Sequence, residues 1–188
     1  MNFSLRALTV AAMISAASIG GAMAQDNPMV GGAAMYADKN IIENAVNSAD
    51  HTTLVAAVQA AGLVETLSGE GPFTVLAPVN AAFDALPAGT VDTLLKPENK
   101  DMLATILACH VIPAKALSTD IVGMVEADGG EHVVETVGGC KLTLKAADGK
   151  VTVTDENGTV ANVTTADVIQ SNGVIHVIDA VLTPKSAM

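Results

Sequence analysis

The segment Gly71–Pro87, GPFTVLAPVNAAFDALP, decides how this chain is read. Phe73-Thr74-Val75-Leu76-Ala77 has the length and residue types of a strand, Pro78 ends it, and Asn80 to Leu86 follows as a brief helix ended by Pro87. Upstream, Ile41, Ile42, Ala45 and Val46 fall on one helical face. Asp50 is placed to cap the next helix, Leu54, Val55, Val58 and Ala61 recur at helical spacing, and Gly62 suits the stop. Downstream, Pro97 fits a first helical turn, where its missing amide costs nothing. Met102, Leu103, Ile106 and Leu107 form an apolar stripe assigned to the core. After Gly129-Gly130 the period changes to two, in Cys140–Leu144, Val151–Thr154 and Thr159–Val163. The joining dipeptides Asp148-Gly149 and Asn157-Gly158 suit primed hairpin turns. Helices first and a β-meander second make the fold class α+β.

Two further stretches sharpen this reading: CHVIPAK at Cys109–Lys115 and SNGVIHVIDAVLTP at Ser171–Pro184. With Gly71–Pro87, in this order and spacing, they resemble the fasciclin domain. That family has a strand-turn-helix block, a Tyr-His block about two dozen residues later, and a closing Asn-Gly-Val-Ile-His-Val-Ile-Asp strand. The resemblance covers residues 39–185. It implies a helical layer packed on a wedge of two small β-sheets, and a non-catalytic adhesion or interaction module as the function. The alternative is a carrier of a small apolar ligand, against which the scarcity of aromatic residues counts.

In animal members, a short acidic-apolar motif just before the closing block is linked to integrin binding. Here that slot reads Thr165-Ala166-Asp167-Val168-Ile169. The resemblance thus makes Asp167, Val168 and Ile169 the candidate partner-binding residues, together with His110 of the Tyr-His block. Asp167 is expected to be exposed and Val168 at least partly buried. The competing reading takes Val168 and Ile169 as core strand residues. The similar string Asn99-Lys100-Asp101-Met102-Leu103 lies in a helix upstream of His110 and is a coincidence of letters. The Tyr of the family's Tyr-His block is Cys109 here.

The N-terminus carries an address. Arg6 supplies a positive n-region, Ala7 to Ile19 is an apolar or small-residue run, and Ala22-Met23-Ala24 has the form of a cleavage site. Residues 1–24 are therefore expected to be a secretory signal cut before Gln25. The run is shorter than the about 20 residues of a spanning helix. Residues 25–38 read as a flexible lead-in. The expected destination is the periplasm or the extracellular space, and the expected partner is a protein or a cell-surface or matrix component.

A net charge of −11 becomes −12 when Arg6 is lost. A chain this acidic, without a Lys/Arg cluster, is repelled by phosphates, so nucleic acid is not expected as a partner. With no Trp and one Tyr, base-stacking platforms are hard to build. Cys109 and Cys140 are the two cysteines of the chain. Under oxidising conditions they are read as a disulfide, the alternative being two buried free thiols.

Of the four histidines, none has metal-ligand spacing, and no cofactor is expected. His110 and His176 read as histidines held neutral by hydrogen bonds, and Asp179 as an edge residue or a buried acceptor. Asp155-Glu156 reads as a solvated pair beside a turn. No Gly-x-Ser-x-Gly and no phosphate-binding glycine loop is present, so an enzyme is not expected.

Overall fold

The computed structural model describes residues 27–185. Its short strands β1 (Met29–Val30) and β2 (Ala33–Ala34) pair with each other. Five helices follow, α1 (Ile41–Ala45), α2 (Thr52–Ala61), α3 (Val64–Ser68), α4 (Asn80–Asp84) and α5 (Thr90–Leu94), with β3 (Phe73–Pro78) inserted before α4. Then come α6 (Lys100–Ala108), β4 (Val111–Ile112) and α7 (Ser118–Ala127). The chain closes with β5 (His132–Glu135), β6 (Lys141–Ala147), β7 (Lys150–Thr154), β8 (Val160–Gln170) and β9 (Gly173–Ile178).

The seven later strands lie in the order β4-β3-β9-β8-β7-β6-β5. Strand β8, 11 residues long, makes the wedge. Its first residues pair with β7 and its remainder with β9, with register breaks between Val163 and Thr165 and between Thr165 and Val168. A bulge bends and twists a strand, so one continuous segment serves both sheets. The alternation read over Thr159–Val163 covers only the first part of this strand, which runs on to Gln170.

The outer ends of the two sheets come back together. The Val137 N–H donates to the Val111 carbonyl at 2.8 Å, tying β4 to the loop after β5. The Cys109–Cys140 disulfide closes the same seam across 31 residues.

Two apolar clusters fill the body. One joins α2, α4 and α6 to β3 and β9 through Leu54, Val58, Phe83, Leu107, Val75 and Ile175. The other lies under α7 and joins Ile121 and Val125 to Leu142, Leu144, Val153 and Ile178. Gly173 brings β9 against β3, because a Cβ there would sit 2.1 Å from the Phe73 carbonyl oxygen.

Several local expectations change. The segment taken as a flexible lead-in contains the β1–β2 hairpin, and Val30 and Met35 are buried in the core. Asp50 does not cap α2. It lies in a 3₁₀ turn (Ala49–His51), and the Asn80 side chain accepts from the Thr53 N–H instead, at 3.0 Å. Val46 is exposed rather than facing the core. Asp148-Gly149 is a two-residue turn with both φ positive. Asn157-Gly158, by contrast, sits in a wider loop organised by Asp155, whose carboxylate accepts from the N–H groups of Asn157 and Thr159. Asp155 is thus buried, not solvated.

Candidate functional site

Asp167, Val168 and Ile169 lie on β8 beside β9 and the start of α7, whereas His110 lies just past α6 and bonds to the C-terminal segment. The register break before Val168 gives Asp167 a φ of 58°, a left-handed conformation that Asp tolerates better than most residues. The break turns its carboxylate to α7, where it accepts from the Ser118 N–H at 2.6 Å and from the Ser118 hydroxyl. A carboxylate on the first amides of a helix satisfies an orphan donor and opposes the positive end of the dipole. Asp167 is half-buried and occupied, contrary to the expected free surface acid.

The next two residues part company. Val168 is fully buried, whereas Ile169 stands 42% exposed. Strand alternation sends them to opposite faces. Ala166, Ser171 and Lys115 are exposed as well.

Behind Asp167, His176 Nδ1 accepts from the Asp167 N–H at 3.3 Å and its Nε2–H donates to the Ala116 carbonyl at 2.8 Å. Burial lowers its pKa, against the opposing pull of the Ala116 carbonyl and the Asp167 carboxylate. His110 is held in the same manner. Its Nδ1–H donates to the Ile106 carbonyl at 2.8 Å, and its Nε2 accepts from the Leu182 N–H at 2.9 Å. Burial pushes this ring down to about 4, despite the Ile106 carbonyl and the Asp155 carboxylate. At 2% exposure, with both nitrogens engaged, His110 fastens α6 to the C-terminal segment and does not reach the surface.

Other polar residues of the blocks do similar work. The buried Asp155 also accepts from the Thr183 N–H at 2.9 Å. Asn172 accepts from the Ile41 N–H and donates to the carbonyls of Leu67 and Gly69, pinning α1 and α3 to β9. Asp179 is exposed and accepts from the backbone and side chain of Asn162. The sequence missed these long-range bonds because the partners are tens of residues apart.

Among the described residues, no group of three His, Cys, Asp or Glu side chains could hold a metal ion, and no helix is long and apolar enough to cross a membrane. Ser118, Asp167 and His176 are the types found in hydrolase triads, but the arrangement differs. The acid bonds the serine directly, and the histidine proton is held by a backbone carbonyl. A triad requires the histidine to take the serine proton.

An apolar cavity of about 40 Å³ lies between the hairpin, α1, α2 and β3, lined by Val30, Met35, Ile41, Leu54, Val58 and Val75 among others. Sites for drug-sized ligands run to about 300–1,000 Å³.

A two-sheet wedge sharing a bent strand, a helical layer and a lattice of buried histidine and asparagine bonds define an α+β domain. The chain belongs to the fasciclin domain family, whose model, described as Fasciclin domain, matches residues 49–184. It is 49% identical over 160 residues to protein sll1483 of Synechocystis sp., covering 85% of this chain and 82% of that protein. It is 41% identical over 133 residues to transforming growth factor-beta-induced protein ig-h3 of Sus scrofa, a match that takes in 71% of this chain but only 17% of that protein. A solved FAS1 domain pair from the insect cell adhesion molecule fasciclin I superposes with a TM-score of 0.68 at 18% identity. That match covers 79% of this chain and 52% of the other, and establishes the shared fold.

Proposed function

We propose that this protein is an exported, non-catalytic interaction module that recognises a protein or matrix component at a cell surface, in the periplasm or in the extracellular matrix. The observation that carries the reading is the end of β8, where Ile169 stands out from the surface while Val168 is buried and Asp167 is committed to α7. An apolar side chain held on a rigid strand, beside exposed Ala166, Lys115 and Ser171, is the anchor-and-rim arrangement of a recognition patch. Of the candidate residues Asp167, Val168 and Ile169, the exposed Ile169 is the one we propose makes the contact. Membership in a family that includes an insect cell adhesion molecule supports the reading.

The enclosed cavity of about 40 Å³ is too small for an extended apolar ligand, so carriage of one would fall to the open cleft of about 470 Å³ lined by Leu86, Leu94, Met102, Ile106 and Val181. The apolar run from Ala7 to Ile19 and the Ala22-Met23-Ala24 motif, outside the described residues, support export with cleavage before Gln25.

The test is adhesion of the purified protein to cells and matrix of its own source, with Ile169→Ser as the variant. Binding should fall at least fivefold while the melting temperature holds, because exposed substitutions change stability by about 0.5 kcal/mol or less. Undiminished adhesion would remove this surface. N-terminal sequencing of the exported protein should begin at Gln25; a start at Met1 would refute the leader.

A further inference from the structure

The buried histidines His51, His110 and His176 differ in what a proton would do to them. The Ser48 hydroxyl meets His51 Nδ1 at 2.8 Å, and the Ala77 carbonyl is the other partner of that ring. A hydroxyl can donate or accept, so protonation there asks only for a turn of the Ser48 hydroxyl. His110 and His176 lack this freedom, because one nitrogen of each accepts from a backbone N–H. A protonated imidazole donates from both nitrogens, and a backbone N–H cannot turn round to accept. At His110 the conflict falls on the Leu182 N–H, and burial keeps that ring neutral down to about pH 4.

At His176 the conflict falls on the Asp167 N–H, 3.3 Å from Nδ1, while the Ala116 carbonyl fixes the proton on Nε2. Here the residue in conflict carries its own remedy. The Asp167 carboxylate could accept from an Nδ1–H, but in the neutral protein it is committed to the Ser118 N–H at 2.6 Å and to the Ser118 hydroxyl. Burial lowers the pKa of the ring, and the Ala116 carbonyl and the Asp167 carboxylate pull the other way. The other neighbours add little charge. Strand β3 sets Leu76 between His176 and His110, and the loop before α7 brings exposed Lys115 next to Ala116. At the start of α7, the Asp120 carboxylate accepts from the Leu117 N–H at 3.0 Å.

We propose that His176, Asp167 and Ser118 form an acid-operated latch, in which a proton on His176 draws the Asp167 carboxylate from Ser118 onto Nδ1–H and frees the start of α7 from β8. The exchange is local, because Asp120 keeps its bond to the Leu117 N–H and continues to cap α7. Since burial holds the folded ring below the ordinary 6.5, the latch is closed above that pH and opens as the pH falls through the folded value. It does not depend on the adhesive reading and is tested without a partner.

The experiment follows the ¹⁵N- and ¹³C-labelled protein by NMR from about pH 7.5 to about pH 4, the range in which histidines titrate. The His176 ring nitrogens and the amides of Asp167 and Ser118 should shift together, with one midpoint below 6.5. The Asp167 carboxyl carbon should still report an ionised group at that midpoint. His176→Gln, neutral at every pH and still able to donate and accept, should abolish the Ser118 step. Asp167→Asn, which serves if the glutamine variant fails to fold, removes the charge that raises the pKa of the ring and should move the His176 midpoint to lower pH. A Ser118 amide that stays put while His176 titrates, or that follows protonation of Asp167 instead, overturns the proposal. So does a Ser118 step that survives in His176→Gln, an unmoved His176 midpoint in Asp167→Asn, or unfolding of the whole molecule at the His176 midpoint.

Discussion

Replacing Asp167 by alanine tests whether the wedge and α7 are joined through this one carboxylate. The substitution removes the acceptor of the Ser118 N–H and hydroxyl. Loss of a capping acceptor costs about 0.5–2 kcal/mol. The position also has a φ of 58°, and placing an ordinary L-residue in that region costs about 1–2 kcal/mol. The two effects together give about 1.5–4 kcal/mol. At roughly 2–4 °C per kcal/mol for a domain of this size, the melting temperature should fall by about 3–16 °C. Asp167→Gly separates the two contributions, since glycine adopts positive φ freely and should lose only the capping part. Asp167→Asn keeps an oxygen and the tolerance for positive φ, and should be the mildest. Urea denaturation of the three variants should therefore rank Asn above Gly above Ala. An alanine variant within about 0.5 kcal/mol of the parent, or a glycine variant as unstable as alanine, would refute the reasoning.

Reduction of Cys109–Cys140, which spans 31 residues, should lower stability by about 3–4 kcal/mol on the chain-entropy account; an unchanged urea midpoint under reducing conditions would contradict it. His110 should remain neutral in the folded protein down to about pH 4, read from its ring proton shifts. Because its folded pKa lies below the ordinary 6.5, the unfolded chain binds the proton first. Its contribution to stability is complete above pH 6.5 and is lost between there and pH 4, on the order of 3 kcal/mol. Titration of that ring near 6.5 would remove this account. Val168→Ala, at a fully buried site, should cost about 1–3 kcal/mol, measured by denaturation, and a neutral result would show that β8 is packed otherwise.

The elements legible in the sequence were those built from near neighbours. The strand and helix of Gly71–Pro87, the Gly62 stop, the Asp148-Gly149 turn and the apolar stripe of α6 each rest on contacts within a few residues, so periodicity and turn chemistry suffice, except that Met102, read as part of that stripe, is exposed while Leu103, Ile106 and Leu107 are buried. The spacing of the three blocks was enough for the family, and an isolated pair of cysteines was enough for the disulfide.

What the tertiary structure alone decided is the work of each polar side chain. Asp167 meets Ser118 at a separation of 49 residues, His110 meets Leu182 at 72 and Asn172 meets Ile41 at 131. No local pattern encodes such distances, because a carboxylate bound for solvent and one bound for a helix terminus have the same neighbours in the chain. The bend of β8 sends Asp167 inward and Ile169 outward, and it exists only because that strand must serve two sheets at once. Sequence therefore determined the domain and its local elements, while the geometry of the shared strand decided which side chains of β8 are buried, which are bonded and which are exposed.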